Sequence, residues 1–488
     1  MRITSRTSLR MMLGLALIVA LVAACGEVTD PGAELTDDAD PDTSDEGDDG
    51  DDDEDAPDDG PEGEPVPEDG ELLVEAADDA EEIVFWTSHT RETDVAALQR
   101  IVETFNDAND DVQISMVQVP GDETDAAKLM TAVRGGVGPD IYLLDRFTAI
   151  ERAAAGLLEP LGGHLSELGE EDFVEFAWQE AVYDGEPYAL PFDTDTRALW
   201  YRADLLEEAG IDYSALDADS GPPTIAEVRE ISDQFDEEDD AGYTRVGFVP
   251  WMEQGWHYTW GYIHGGEFFD EDSCQVTPTD PGVVAGLEFM GEWAQGKGPA
   301  ELQTFMDTYN PDDIPTPQMP IMQGRVAMMI SGEWWVELIE QYAEDDMDFR
   351  VTYLPVVDEG DEPTTWSGGW SLVIPTDTEN VENAVRALEF MAGPEGQEIY
   401  ALDSSHLPTL LDLSDVFDDS GDEYLPFFLE QVDYSNNRAP LPVGVQYWDE
   451  LTDAQEAVTL GQSEPTEALE NVQNRVQQVL DDFCPIEF

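Results

Sequence analysis

The chain has 488 residues, enough for two to three domain-sized units, and sets 113 acidic against 19 basic side chains for a formal net charge of −94. A surface of that sign repels phosphates and anionic lipid, which excludes nucleic acid as a partner. Its self-repulsion is relieved by salt, whose screening length falls to about 3 Å at molar concentration, so the composition predicts an acidic, halophilic protein. Hydrophobic content is 41%, sufficient for a large core outside the acidic N-terminal region.

Met1–Ala24 carries Arg2, Arg6 and Arg10 before the apolar run Met11–Val22, a signal-peptide pattern too short for a membrane span. It ends Val22-Ala23-Ala24-Cys25-Gly26, which resembles a bacterial lipobox. That resemblance implies cleavage before Cys25 and lipidation of its sulfur, with two acyl chains anchoring the protein to the outer face of a membrane. Residues 25–82 form the next unit. From Glu27 to about Glu82 the chain is Asp, Glu, Gly and Pro with few large apolar side chains, a composition that predicts a disordered tether extended by like charges.

Ile83-Val84-Phe85-Trp86 reads as a buried strand. Val95, Leu98, Ile101, Val102 and Phe105 recur at helical spacing within Glu92–Asn109. Val112–Val119 alternates as a strand, Ala126–Arg134 reads as helix, and Asp140–Leu144 is a third strand leading to Asp145. This β-α-β-α-β order argues for a largely parallel α/β sheet, with ligands collecting beyond the carboxyl ends of its strands.

Tyr183–Asp204 opens on the hairpin signal Asp184-Gly185 and continues as an extended run between Pro187 and Pro191. Asp193, Asp195 and Arg197 then interrupt two apolar strands. Polar groups so placed mark a site or a hinge, because burying charge without partners is costly; a solvated loop is the alternative. Ala203–Ala209 reads as helix stopped by Gly210.

Further on, the pattern predicts a helix over Thr224–Phe235, a strand over Gly247–Pro250, a tryptophan-dense stretch from Trp251 to Trp260 and a helix over Pro281–Gln295. Gly324–Ile330 follows as a buried strand closed by Ser331-Gly332-Glu333-Trp334-Trp335. Phe349–Leu354 and Trp370–Ile374 are strands, and Val381–Ala392 and Thr466–Asp481 are amphipathic helices. Cys274 and Cys484 remain as an even pair in an exported chain, which predicts a disulfide rather than two free thiols. The histidines are scattered and no CxxC or HxxxH occurs, so neither a metal site nor a cofactor is predicted.

The ordered series IVFWTS, AVRGGVGPDIYLLD, YDGEPYALPFDTDTRALWYR, QGRVAMMISGEWW, WSGGWSLVIP and ALEFMAGPEGQ resembles the family 1 extracellular solute-binding proteins, receptors of ABC sugar importers. The resemblance covers Ile83 to about Phe488. It implies a two-lobed α/β periplasmic-binding-protein fold of type II, with crossover strands at Pro191–Arg197, near Ala327–Ser331 and near Leu372–Thr376. The N-terminal lobe would comprise 83–190 and 332–371, and the C-terminal lobe 192–330 and 373–488. Ligand would sit between lobes that close about a hinge. The implied protein is a monomeric lipoprotein outside the cell membrane that passes a carbohydrate to permease subunits, not an enzyme.

Sugars offer an apolar face to an aromatic ring and hydroxyls to charged groups, whose hydrogen bonds are stronger than neutral ones. The expected ligand contacts are Trp86, Asp145, Asp193, Asp195 and Arg197, then Trp256, Trp260, Trp334, Trp335, Trp370 and Arg438. Gly368 and Gly369 would let backbone approach the ligand. Each has a plainer alternative: Trp86 and one of Trp334 and Trp335 as core, about half of the 251–260 tryptophans as packing, Asp145 as a cap, an Asp193 or Asp195 pair with Arg197, and Arg438 as a surface loop residue. A receptor for a polyamine or a glycerol phosphate remains an alternative, as does a glycosidase, which needs two carboxyl groups about 5–10 Å apart across a sugar.

Overall fold

The computed structural model describes residues 70–119, 127–311, 314–418 and 420–486, all within the unit Gly63–Phe488. The expectations for the signal peptide, Cys25 and most of the tether lie outside the described residues. No helix among those described is long and apolar enough to cross a membrane.

The first lobe is built on β1 (Glu71–Val74), β2 (Glu81–Thr87), α1 (Glu92–Ala108), β3 (Val112–Gln118), α2 (Ala127–Gly135), β4 (Ile141–Asp145) and β5 (Ala189–Pro191). Strand β1 falls inside the segment expected to be tether: Leu72 pairs with Val117, so the fold begins earlier than the composition implied. Strands β2, β3 and β4 are mutually parallel as predicted, with Ile83 opposite Ile114 and Phe85 opposite Ile141. Leu98, Ile101, Val102 and Phe105 of α1 are buried against this sheet, each such side chain contributing about 1.5–3 kcal/mol. Asp184 (φ 53°) and Gly185 (φ 75°) turn the predicted hairpin, in which Tyr183 pairs with Glu186.

The chain then passes through β6 (Asp193–Thr194) into β7 (Arg197–Arg202) and α3 (Ala203–Ala209), which Gly210 ends at φ 71°. Next come α4 (Ile225–Phe235), β8 (Glu237–Asp239), β9 (Gly242–Glu253), α5 (His257–Ile263), α6 (Pro281–Lys297), β10 (Val326–Gly332), α7 (Trp335–Tyr342) and β11 (Phe349–Thr352). A capping box starts α4: Glu227 N–H donates to Thr224 Oγ1 at 3.2 Å while Thr224 N–H donates to the Glu227 carboxylate at 2.8 Å. The second sheet runs β8-β9-β10-β7-β11.

Strand β12 (Thr365–Ser367) leads to β13 (Trp370–Val373), which rejoins the first sheet between β4 and β5 to give the order β1-β3-β2-β4-β13-β5. Helices α8 (Val381–Met391) and α9 (Pro394–Ser404) follow, then β14 (Leu407–Pro408), β15 (Ser435–Asn437), α10 (Gly444–Thr459) and α11 (Pro465–Leu480). Strand pairing and core packing divide the chain differently from the expected lobe boundaries. Within 332–371, β11 pairs with β7 of the second sheet, and after Val373 the helices α8 and α9 pack on the first-lobe core through Ala384, Leu388, Met391 and Tyr400. The chain therefore changes lobe at Phe192–Thr196, at Ser367–Trp370 and again beyond Leu407, whereas Ala327–Ser331 stays inside the second sheet and Leu372–Thr376 inside the first lobe. Cys274 and Cys484 form the predicted disulfide, fastening the end of the chain to a turn of the second lobe.

Candidate functional site

The two short crossovers lie side by side. Asp193 and Asp195, two residues apart on extended chain, project toward the same neighbour. Trp370 N–H donates to Asp193 Oδ1 and Gly368 N–H to Asp195 Oδ1, both at 2.6 Å. Arg146, fully buried at the end of β4 and ion-paired with Glu180, donates to the carbonyls of Asp193 (2.7 Å) and Gly368 (2.5 Å). Gly369 sits at φ 129°, and a Cβ there would stand 2.4 Å from the Asp193 carbonyl oxygen. Its glycine is thus required by backbone packing between crossovers.

Rings and guanidinium groups face each other where the lobes meet. Arg197 lies 3.7 Å over the Trp366 ring, is ion-paired with Asp195 and reaches Gln254. Arg438 packs 3.8 Å over Phe147 and 5.3 Å from Trp366, and its Nη2 pairs with Asp145 at 3.2 Å. That pair joins the rim of the first lobe to a loop of the second. Val445 N–H, at the start of α10, donates across the same boundary to Glu151 at 3.2 Å. Trp448 stands edge-on to Trp256 at 5.5 Å, and Trp370 meets the His89 ring at 4.3 Å. Trp256, Trp334, Trp370, Trp448, Asp145 and Gln254 keep partial exposure, so this web of residues retains a solvent-facing surface. Burial, reinforced by the neighbouring Arg438 charge, holds the Arg197 guanidinium down to about 9.

The predicted site residues divide. Asp145, Asp195, Arg197, Gly368, Gly369, Trp370, Trp256, Trp334 and Arg438 come together at the lobe boundary. Trp86, Trp260 and Trp335 do not. Trp86 is 2% exposed among Val84, Tyr142 and Leu144; Trp260 donates to the Pro250 carbonyl at 3.0 Å and packs on Phe289; Trp335 is in the second-lobe core with Phe349. Asp193 is buried at the crossover, where burial pushes its carboxyl up to about 7. Sequence reasoning missed Trp366, Trp448, Phe147, Gln254 and His89. The WSGGW run did contain Trp366, four residues before Trp370, but its indole N–H, bonded to Thr259 at 2.8 Å, points it into the second lobe. A separate hollow of about 470 Å³ lies against edge strand β11, lined by Tyr201, Tyr213, Arg350, Tyr424 and Phe427. It contains none of the predicted site residues.

The profile of the bacterial extracellular solute-binding protein family matches residues 89–398. A maltotriose-binding protein of Pyrococcus abyssi is 25% identical over 343 residues, covering 69% of this chain and 68% of its own. Among solved structures, a protein with mannotriose bound superposes at a TM-score of 0.71 with 22% identity, over 81% of this chain and 100% of the other. The GacH receptor of Streptomyces glaucescens, solved unliganded and with acarbose, gives 0.66 and 24% over 83% and 99%. With the profile spanning well over half its length, this two-lobed chain belongs to the bacterial extracellular solute-binding protein family.

Proposed function

We propose that this protein captures a neutral carbohydrate, in keeping with an oligosaccharide, between its lobes and delivers it to the membrane subunits of an ABC importer. The carrying observation is charge pairing at the lobe boundary. In a chain with a formal charge of −94, each arginine there has its own carboxylate: Arg197 with Asp195, Arg438 with Asp145, Arg146 with Glu180. Such a surface offers directional donors and acceptors with little net charge, which suits hydroxyls and favours neither a polyamine nor a phosphate ester. Trp370, Trp256, Trp334 and Trp448, all partly exposed, supply apolar faces for sugar rings, with Trp366 beneath them as the platform for Arg197. The names of the relatives, which bind maltotriose or were solved with mannotriose or acarbose, support this class.

The protein acts by closing on its ligand rather than by transforming it, so it is not an enzyme. It works as a monomer outside the cytoplasm, held to the membrane by a lipid on Cys25 and by the acidic tether. Calorimetric titration of the chain with maltotriose, mannotriose, spermidine and glycerol phosphate tests the reading. Saturable binding confined to a neutral sugar is the expected result; binding of spermidine or glycerol phosphate alone would overturn it.

A further inference from the structure

A second cluster, distinct from the rings of the cleft, lies where both lobes and the crossovers meet. His406, just before β14, is buried. Its Nε2 stands 3.6 Å from Asp94 of α1, and its Nδ1 stands 3.4 Å from Asp193 of the first crossover and 3.7 Å from Glu333 at the end of β10. The first lobe, the crossover and the second lobe thus each present a carboxylate to one imidazole. These separations exceed a charge-assisted hydrogen bond. Asp94 Oδ1, Asp193 Oδ2, Glu333 Oε1 and His406 Nε2 are all buried without a hydrogen-bond partner among the described residues. Unsatisfied buried acceptors are costly, and a proton is the smallest species that relieves them.

The Arg146 charge reaches Asp193 and the Arg197 charge reaches Glu333, each favouring the ionised carboxylate against burial. Arg91 pairs with Asp94 at 3.2 Å, His89 precedes α1, Glu337 of α7 accepts from Thr93 Oγ1 at 2.5 Å, and the Tyr400 ring of α9 stacks on His406. Arg91 is committed to Asp94, which leaves His406 facing two further carboxylates. We infer that this junction is a proton-binding site: closing the lobes over a ligand takes protons into the His406 cluster, so capture strengthens as the medium acidifies.

The sign follows from which groups lose water on closure. Burial pushes both Asp193 and Glu333 up to about 7, and, against its own burial, the Asp94 and Asp193 charges raise His406. Each of these groups holds its proton more tightly in the described arrangement than in water, so a lobe approach that buries the cluster in this way is favoured at low pH and loses this contribution as pH rises through about 7. His89 opposes them: burial holds it down to about 4, so closure releases its proton below its ordinary range near 6.5. The net uptake is therefore read between about pH 6.5 and 8, where the release from His89 is at most about half a proton and fades as pH rises.

Calorimetry of the full chain with maltotriose at pH 7, in buffers of different ionisation heat, counts protons directly; this arm rests on the carbohydrate reading. About one proton taken up per maltotriose is expected, with Kd rising roughly tenfold from pH 6.5 to 8. In Glu333→Gln, which keeps an acceptor for Thr196 N–H and has no proton to take up, the uptake and the pH slope should fall by about half and maltotriose should bind more tightly, most of all at pH 8. Binding without proton uptake, or an unaltered slope in the variant, overturns the proposal. A second arm needs no ligand: nitroxides on Glu103→Cys and Glu340→Cys report the lobe separation by pulsed electron resonance. If maltotriose does not bind, a shorter separation at pH 6.5 than at pH 8 upholds the proton site while that sugar is rejected. A pH-independent separation in that case overturns the site.

Discussion

Trp260 and Trp366 are equally hidden from solvent, yet they belong to different physical regimes. Trp260 has its indole N–H on a neighbouring carbonyl and its ring on Phe289, inside an apolar cluster. Trp366 also has its indole N–H satisfied and belongs to the same cluster, but its ring carries the Arg197 guanidinium at 3.7 Å and lies 5.3 Å from Arg438. Burial alone therefore does not separate a core ring from a site ring; the chemistry on the ring's face does. The lobes are held by apolar contact, whereas their boundary is held by paired charge, which binds strongly only while both partners are present.

The sharpest way to break this comparison is Arg146→Ala. It removes one partner of a fully buried pair and both donors to the crossover carbonyls, so a loss of about 3–5 kcal/mol in denaturant unfolding is expected. A loss below about 1 kcal/mol would show that the crossovers do not depend on it. Trp260→Ala should destabilise the fold by a similar amount, about 3–5 kcal/mol, while the folded fraction keeps its maltotriose affinity. Trp366→Ala should cost stability as well and, in addition, weaken the maltotriose affinity of the folded fraction at least about tenfold, because both arginines lose their platform. Equal effects of the two substitutions on affinity would erase the distinction. Asp145→Asn should cost about 1.5–3 kcal/mol of ligand affinity by uncoupling Arg438 from the first lobe, read by calorimetry. The smallest effect is collective: the melting temperature should rise with sodium chloride toward molar concentration, since screening relieves acidic self-repulsion. A falling midpoint would remove the halophilic expectation.

Much of the fold was legible because periodicity reports a buried face. The β2-α1-β3-α2-β4 unit, the Asp184-Gly185 hairpin and the Gly210 stop each follow from local chemistry. The destination of a buried face is not local. Val381–Met391 reads as amphipathic, but nothing in its spacing states which sheet it covers, and the lobe division failed there. The site was legible in part for the same reason. The DTDTR run and Gly368-Gly369 announce themselves by placing charge and glycine between apolar strands. His89, His406 and Glu333 are single residues far apart in the chain, and only the convergence of α1, β10 and the crossovers gives them a common address.

The internal placement of Arg146, Arg152, Arg197, Arg202, Lys297 and Arg438 has a consequence for survival outside the cell. A trypsin-like protease must draw an extended stretch of chain around a basic residue into its own cleft. Here many such residues are hidden. Several that face solvent sit within regular elements, Arg100 in α1, Arg350 in β11, Arg386 in α8 and Arg475 in α11, each also paired with an acid. Digestion at any of these positions has to wait for local unfolding, so a chain poor in cations that keeps many of them inside becomes a poor meal for that class of protease.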